Sequence, residues 1–227
     1  MEQKYTYSLT AIFALLTLIF SCIMLLVYPA EANLKNGYHT PVIALELAQS
    51  TDELSFLTGN GEIESKNREK MLAGQKLDML FPFIYAGLIF FLLAGDLPKG
   101  RKFLLPGMAL ALSIIPSDLY ENKILDEILF ALQMGMNTAD HLKNLYLATW
   151  LKWGLISASL LFIAISKSID KAWVSCFISL IASLSILFAW CFLGTGLTAE
   201  FMMIMISVFF VYFSFKGIYL YYLFGVI

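Results

Sequence analysis

Six long apolar runs constrain the fold more than any other feature of this sequence. They cover residues 7–28, 77–94, 103–125, 145–165 and 172–193, and the last begins near residue 197. A helix needs roughly 20 apolar residues to cross the hydrocarbon layer of a bilayer, and these runs meet that length. A helix also satisfies its own backbone hydrogen bonds inside lipid. The sequence therefore predicts an all-α, polytopic membrane helical bundle with about six transmembrane helices.

Composition supports a membrane protein and excludes some partners. Hydrophobic residues make up 59% of the chain and charged residues 14%, and the mean hydropathy is +0.77. The net charge of −2 and the lack of a long basic run exclude a nucleic-acid partner. All three cysteines lie in apolar runs, which indicates small hydrophobic side chains rather than disulfides. We predict one transmembrane domain over residues 1–227, without a cofactor and in contact with the lipid bilayer.

The first apolar run has two interpretations. It is longer than the roughly 7–15 residues of a signal-peptide core, which favours an uncleaved first helix. Ala30-Glu31-Ala32 resembles a small-x-small cleavage site, so a removed signal is the alternative.

Residues 30–76 are the only long polar segment, which we predict to be an extracytoplasmic helical loop. Thr40 and Pro41 read as the N-cap and first residue of a short helix over residues 42–54. A turn is expected at residues 59–61. From about residue 63 the charges alternate, which predicts a solvated helix that continues directly into the second span. Pro82 and Pro116 are predicted sites of helix bending.

The basic residues of the short loops predict the orientation. If the chain has six spans, seven basic residues all lie on the same side of the membrane: Lys4, Lys99, Arg101, Lys102, Lys167, Lys171 and Lys216. That side should be the cytoplasm, because short cytoplasmic loops carry an excess of Lys and Arg. Both termini are then cytoplasmic, residues 30–76 and 126–143 face outward, and the protein lies in the inner membrane.

Ionisable residues inside the apolar runs mark a candidate site. Helical spacing puts Asp118, Glu121 and Asn122 on one polar stripe. Asp78 and Lys152 lie at a similar depth in neighbouring runs, so we expect the charges to converge. Charged groups at this depth cost several kcal/mol unless they are paired, and they usually mark a site.

Lys152 has three interpretations at this stage. It extends to the headgroups, or it forms a structural ion pair with Asp118 or Glu121, or it belongs to a functional pocket. The aromatic residues near these charges also have an ordinary interpretation as interfacial residues. They are Tyr85, Tyr120, Trp150 and Trp153, of which Tyr85 follows Asp78 by about two turns on the same face.

Four motifs occur in a fixed order: Leu45-Glu46-Leu47-Ala48, Asp78-x-x-Phe81-Pro82-x-x-Tyr85, Asp118-x-x-Glu121-Asn122 and Thr149-x-x-Lys152. Over roughly residues 40–155 the chain thereby resembles a group of uncharacterised bacterial polytopic membrane proteins. The resemblance implies that six residues belong together: Glu46, Asp78, Asp118, Glu121, Asn122 and Lys152. It also implies that the short helix with Glu46 covers the outer mouth of the pocket as a lid. It implies no activity.

Three functions fit these observations. The first is binding or transport of a small polar, ionic or lipid-headgroup ligand at a mixed-charge pocket near the outer face. The second is a non-catalytic membrane partner or assembly factor with a structural charge cluster. The third is a membrane-embedded enzyme in which Asp78 and Asp118 act as acid and base. Intramembrane protease and hydrolase signatures are missing. A metal held by Asp78, Asp118, Glu121 and His141 is a remote variant, so we predict no metal.

Overall fold

The computed structural model describes residues 3–30, 32–59 and 61–224. Its α-helices are α1 (Gln3–Val27), α2 (Pro41–Glu46), α3 (Glu62–Asp78), α4 (Phe81–Ala94), α5 (Leu105–Gln133), α6 (Ala139–Ile169), α7 (Trp173–Cys191) and α8 (Gly196–Phe224). The described residues exclude Glu31, which belongs to the suggested cleavage site, and Asn60, which belongs to the predicted turn at 59–61. Short 3-10 turns occupy Thr51–Leu54, Leu97–Lys99 and Lys102–Leu104.

The predicted class of fold is confirmed. Six helices, α1 and α4 to α8, are long and apolar enough to cross a membrane, and no strand occurs within the described residues. Successive spans run in opposite directions, so the loops 95–104 and 170–172 lie at the same end as both ends of the described chain. The segment 32–80 and the loops 134–138 and 192–195 lie at the other end.

The six spans form a closed ring in chain order. Each packs against its neighbours along the chain, and α8 closes the ring by packing against α1. Short loops favour this antiparallel neighbour packing. Apolar side chains fill the interior, and Phe209 and Phe213 of α8 are fully buried. Phe210 reaches Tyr85 of α4, with ring centroids 5.7 Å apart, so an aromatic contact joins the two spans that flank α1.

Residues 32–58, which we call the cap, cover one end of this ring. Its apolar side chains are buried, among them Ile43, Leu45, Leu54 and Leu57. The predicted helix over residues 42–54 is wrong in extent, because α2 ends at Glu46 and a 3-10 turn follows at Thr51–Leu54. Polar side chains that compete for backbone hydrogen bonds favour this break. The Glu53 carboxylate, for example, accepts the Gln49 N–H at 3.0 Å.

Glu200 of α8 holds the start of α2. One of its carboxylate oxygens accepts the backbone N–H groups of His39 and Thr40, each at 2.7 Å, and the other accepts the Thr40 hydroxyl at 2.7 Å. Thr40 is therefore at the predicted N-cap position, but its side chain does not cap α2. The Tyr38 hydroxyl donates to the Gly194 carbonyl in the loop between α7 and α8. These contacts fix the cap to α8 and to the loop that precedes it.

The predicted continuous helix into the second span is wrong. α3 ends at Asp78, and α4 begins at Phe81 with Pro82 in its first turn. Proline at position 82 has no N–H for the Asp78 carbonyl, and its ring would clash with that carbonyl in a continuous helix. Pro82 therefore separates two helices rather than bending one. Pro116, in contrast, lies inside α5.

Other boundaries differ from the predicted ones as well. α5 continues to Gln133, past the end of the predicted span at residue 125, and α6 begins at Ala139, before the predicted start at residue 145. The predicted solvated helix, α3, also contacts the cap. Arg68 donates to the carbonyls of Leu57 and Gly59 at 2.6 and 2.8 Å. These contacts join the cap and α3 into one covering layer.

A glycine substitution tests how closely the cap packs. A Cβ at Gly196 would lie 2.3 Å from the Asn36 carbonyl oxygen, and backbone cannot give way as a side chain can. We expect Gly196→Ala to lower the free energy of unfolding in detergent by about 1–3 kcal/mol through overpacking. Gly154→Ala is the matched control, because nothing lies within 4 Å of its Cβ position. Equal stability of the two variants would contradict the close approach of cap and α8.

Candidate binding site

The structure brings the seven candidate residues together beneath the cap. They come from five helices: Glu46 (α2), Asp78 (α3), Tyr85 (α4), Asp118, Glu121 and Asn122 (α5), and Lys152 (α6). Six of them are buried, and Asp78 is half-buried. Their meeting follows from the ring, because α4, α5 and α6 are consecutive neighbours and the cap closes over them.

Lys152 lies at the centre of one half of this site. Its ammonium is 3.2 Å from a Glu46 carboxylate oxygen and contacts the Glu121 carboxylate on the other side. We call Glu46, Glu121 and Lys152 the lysine triad. Lys152 is only 4% exposed, so the interpretation that it extends to the headgroups is wrong. Its predicted pairing is right for Glu121, while Asp118 forms no direct salt bridge with it.

Two further residues of α6, Thr149 and Trp153, form hydrogen bonds with the carboxylates of the triad. The Thr149 hydroxyl contacts both the Glu121 carboxylate and, at 3.2 Å, the Glu46 backbone carbonyl. The Trp153 indole N–H donates to the Glu46 carboxylate at 3.3 Å. Thr149, Lys152 and Trp153 share a face because i, i+3 and i+4 are neighbours on a helix. This geometry explains the Thr149-x-x-Lys152 spacing.

Asp78 and Asp118, which we call the acidic pair, form the other half of the site. The Tyr85 hydroxyl donates to one oxygen of Asp118, while the other oxygen is buried and has no hydrogen-bond partner among the described residues. Asp78 is the last residue of α3 and lies just before the second span. Burial, followed by the negative charge of Asp118, raises the pKa of Asp78 to about 7. Among the described residues, no cation forms a salt bridge with Asp78 or Asp118, whereas Lys152 contacts both carboxylates of the triad.

Aromatic side chains near the site divide into two groups. Tyr85, Trp150 and Trp153 are buried, so the interfacial interpretation is wrong for them. Tyr85 is held between Phe81 and Phe210, with ring centroids 5.2 and 5.7 Å away. Tyr120 is 55% exposed, as an interfacial residue would be.

Sequence reasoning missed two residues near the acidic pair. The Gln75 amide donates to the Asn122 side-chain oxygen at 2.8 Å, which connects α3 to α5. The spacing to Asp78 could have indicated Gln75, because residues three apart share a helix face. The Tyr28 hydroxyl is buried near Asp78 and Glu46 and has no hydrogen-bond partner among the described residues. No sequence signal distinguishes Tyr28 from an ordinary interfacial tyrosine.

Charges at the site do not balance. Four carboxylates, those of Glu46, Asp78, Asp118 and Glu121, face the single ammonium of Lys152. Within the described part of the chain, no group of three or more His, Cys, Asp or Glu residues is arranged to hold a metal ion. His141, the fourth member of the suggested metal set, instead contacts Glu127 at 3.3 Å. The four residues of the suggested metal set are thus not brought together in one group within the described residues, and the excess negative charge needs another explanation.

Two apolar grooves lie away from these charges. One is lined by residues of α6 and α7, including Trp150, Gly154 and Trp190. The other lies at the junction of α7 and α8, around Phe192 and Phe201. None of the seven candidate residues lines either groove. The site is a closed polar cluster beneath the cap rather than an open cleft.

Charge neutralisation tests the lysine triad. We expect Lys152→Met to lower the free energy of unfolding by about 3–5 kcal/mol, because it leaves two carboxylates buried without their cation. The double variant Lys152→Met/Glu121→Gln should recover much of this loss. Lys123→Met is the control, since Lys123 is exposed and lies 3.9 Å from Glu127; we expect it to change stability by less than about 0.5 kcal/mol. Additive losses in the double variant would contradict the pairing.

Comparison with known proteins adds no family to this description. No family model matches the chain, and no curated protein or solved structure matches it. The resemblance carried by the four ordered motifs therefore remains a prediction. The function has to be argued from the residues of the site.

Proposed function

We propose that this integral membrane protein binds a small monovalent cation at the acidic pair and transports it, with entry from the side covered by the cap. The single observation that carries this proposal is the charge deficit at Asp78 and Asp118. The nearest cation is Lys152, and two other carboxylates already hold it. A bound cation or a proton would compensate the acidic pair, because an isolated carboxylate in a low-dielectric site is costly.

Oxygen atoms around the acidic pair suit such a ligand. Six buried side-chain oxygens have no hydrogen-bond partner among the described residues, and they belong to Tyr28, Gln75, Ser117, Asp118, Glu121 and Ser214. Of these, the Asp118 oxygen belongs to the acidic pair itself, and the Tyr28 hydroxyl lies near Asp78. Carboxylate, carbonyl and hydroxyl oxygens are the ligands that hard cations prefer. A calcium site generally uses more carboxylate ligands than the two that are available here. A monovalent ion or a protonated amine fits this donor set best.

A route to the acidic pair starts at the break between α3 and α4. Asp78 is half-buried at this break, while Asp118 lies deeper in α5. Interrupted helices are where transporters commonly place their ion and substrate sites. Glu46 joins the cap to Lys152, so opening the cap on this side would separate that ion pair. We therefore assign the cap the role of a lid, and Glu46 the role of its latch.

The lysine triad favours a structural role for its own half of the site. Its charged atoms have partners from the cap, α5 and α6, which is the arrangement of an ion pair that fixes helices relative to each other. The hypothesis of a structural charge cluster thus applies to the triad but leaves the acidic pair unexplained. Acid–base catalysis by Asp78 and Asp118 has no further observation in its favour.

Asp78 gives the proposal a pH dependence. Its folded-state pKa of about 7 lies above the ordinary value of 3.8, so the folded protein binds this proton more tightly than the unfolded chain. The resulting stabilisation is complete below about pH 4 and is lost as the pH rises through about 7. We expect Asp78→Asn to flatten the dependence of melting temperature on pH in this window. Asp140→Asn, a change at an exposed carboxylate, should leave it as in the wild type. An unchanged profile in Asp78→Asn would contradict this assignment.

Cation binding is tested by thermal unfolding in detergent at constant ionic strength. Sodium, potassium or ethylammonium chloride replaces tetraethylammonium chloride, whose cation is too large for a closed site. At pH 8 one of these should stabilise the wild type, by about 2.7 kcal/mol when its concentration is one hundred times Kd. At pH 5 a proton competes for the Asp78 carboxylate, whose pKa is about 7, so the effect should shrink. The three salts distinguish an inorganic ion from an amine.

The matched variants are Asp118→Asn and Glu127→Gln, which remove one carboxylate each from the same helix. Asp118→Asn should abolish the stabilisation, and Glu127→Gln should retain it because Glu127 is exposed and distant from the pair. Equal stabilisation in both variants, or none in the wild type with any salt, would overturn the proposed binding. Transport is then measured as flux of the stabilising cation into proteoliposomes, where the same two variants should differ.

A further inference from the structure

A second group of charges lies at the opposite end of the ring. The Asp96 carboxylate contacts Lys99 at 2.9 Å and Lys167 at 2.6 Å, and the Asp170 carboxylate contacts Lys99 at 2.6 Å and Arg101 at 2.5 Å. We call these five residues the basic cluster. Lys167 is about 22 Å from Lys152 along α6, at 1.5 Å per residue. The basic cluster is therefore separate from the site beneath the cap.

Positive charge is in excess here, in contrast to the other end. The basic cluster has three cations for two carboxylates, and Lys216 of α8 adds a fourth cation at the same end of the ring. The Lys216 ammonium contacts the Ser175 hydroxyl at 2.5 Å and lies 5.7 Å from the centre of the Tyr212 ring. Within the described residues, no carboxylate forms a salt bridge with Lys216. An anion beside Lys216 would balance this excess of positive charge.

We propose that the phosphate of an anionic phospholipid binds beside Lys216, between α8 and the start of α7. The Ser175 hydroxyl, 2.8 Å from the Tyr212 hydroxyl, lies beside Lys216 and offers a further hydrogen bond to a phosphate oxygen. Basic pockets between transmembrane helices are known to recognise such headgroups. The ligand class follows from the charge excess, because a zwitterionic headgroup would bring its own ammonium close to these lysines.

Neighbouring exposed side chains favour a lipid over free phosphate. Trp173, which begins α7, is 54% exposed, and Tyr219 on α8 is 60% exposed. Tryptophan and tyrosine at helix ends mark the depth of the headgroups. Val174 and Phe177 of α7 are exposed as well, and this apolar face can lie against acyl chains. The phosphate site is thus at the depth where a phospholipid presents its headgroup.

Lipid retention tests the proposal. The full chain is reconstituted in nanodiscs of phosphatidylcholine with increasing phosphatidylglycerol, and co-purified lipid is counted by native mass spectrometry after extraction. We expect the wild type to retain phosphatidylglycerol in preference to phosphatidylcholine. Lys216→Gln should bind it about fivefold more weakly, the factor that corresponds to about 1 kcal/mol for one basic residue at a membrane surface. Ser175→Ala should weaken it in the same direction, without a change of charge.

Lys102→Gln is the matched control, because Lys102 is an exposed lysine at the same end with the same change of charge. Retention should be as in the wild type. Equal losses in Lys102→Gln and Lys216→Gln would show a general surface-charge effect and overturn the site. Equal retention of both lipids by the wild type would do the same. Displacement of the lipid by millimolar inorganic phosphate would overturn a lipid ligand in favour of a free anion.

Discussion

The ion pairs of Lys152 hold together the end of this protein that the cap covers. The ammonium is buried between a carboxylate of α5 and a carboxylate of the cap, so it fixes three parts of the chain relative to one another. A buried charge is tolerated only with well-placed partners, because desolvation costs several kcal/mol per ion. Thr149 and Trp153 supply the remaining hydrogen bonds. Glu46 thereby joins the cap to the ring at this lysine.

This arrangement leaves an asymmetry along the molecule. Beneath the cap, carboxylates outnumber cations, and the acidic pair carries the excess negative charge. At the opposite end, cations outnumber carboxylates, and Lys216 carries part of the excess positive charge. Two ends with opposite unbalanced charges fit a protein that binds a cation at one face and an anionic lipid surface at the other. The apolar interior between them separates the two groups.

Local spacing made much of the site predictable. Asp118, Glu121 and Asn122 share a helix face whatever the rest of the fold, and Lys152 lies at a matching depth in the next span. Contacts between distant parts of the chain were not predictable in this way. The Glu200 carboxylate of α8 accepts the N–H of Thr40, just before α2. The Asp96 carboxylate, after α4, contacts Lys167 at the end of α6. The break between α3 and α4 after Asp78 could have been predicted from the sequence, because Pro82 excludes a continuous helix.

Infrared difference spectroscopy can show whether the acidic pair holds a cation or, without one, a proton. Spectra of the purified protein near neutral pH are compared before and after addition of the stabilising cation. The account predicts loss of a protonated-carboxyl band on cation addition, and absence of this change in Asp118→Asn. A carboxyl region that stays unchanged in the wild type, with saturating cation, would contradict it.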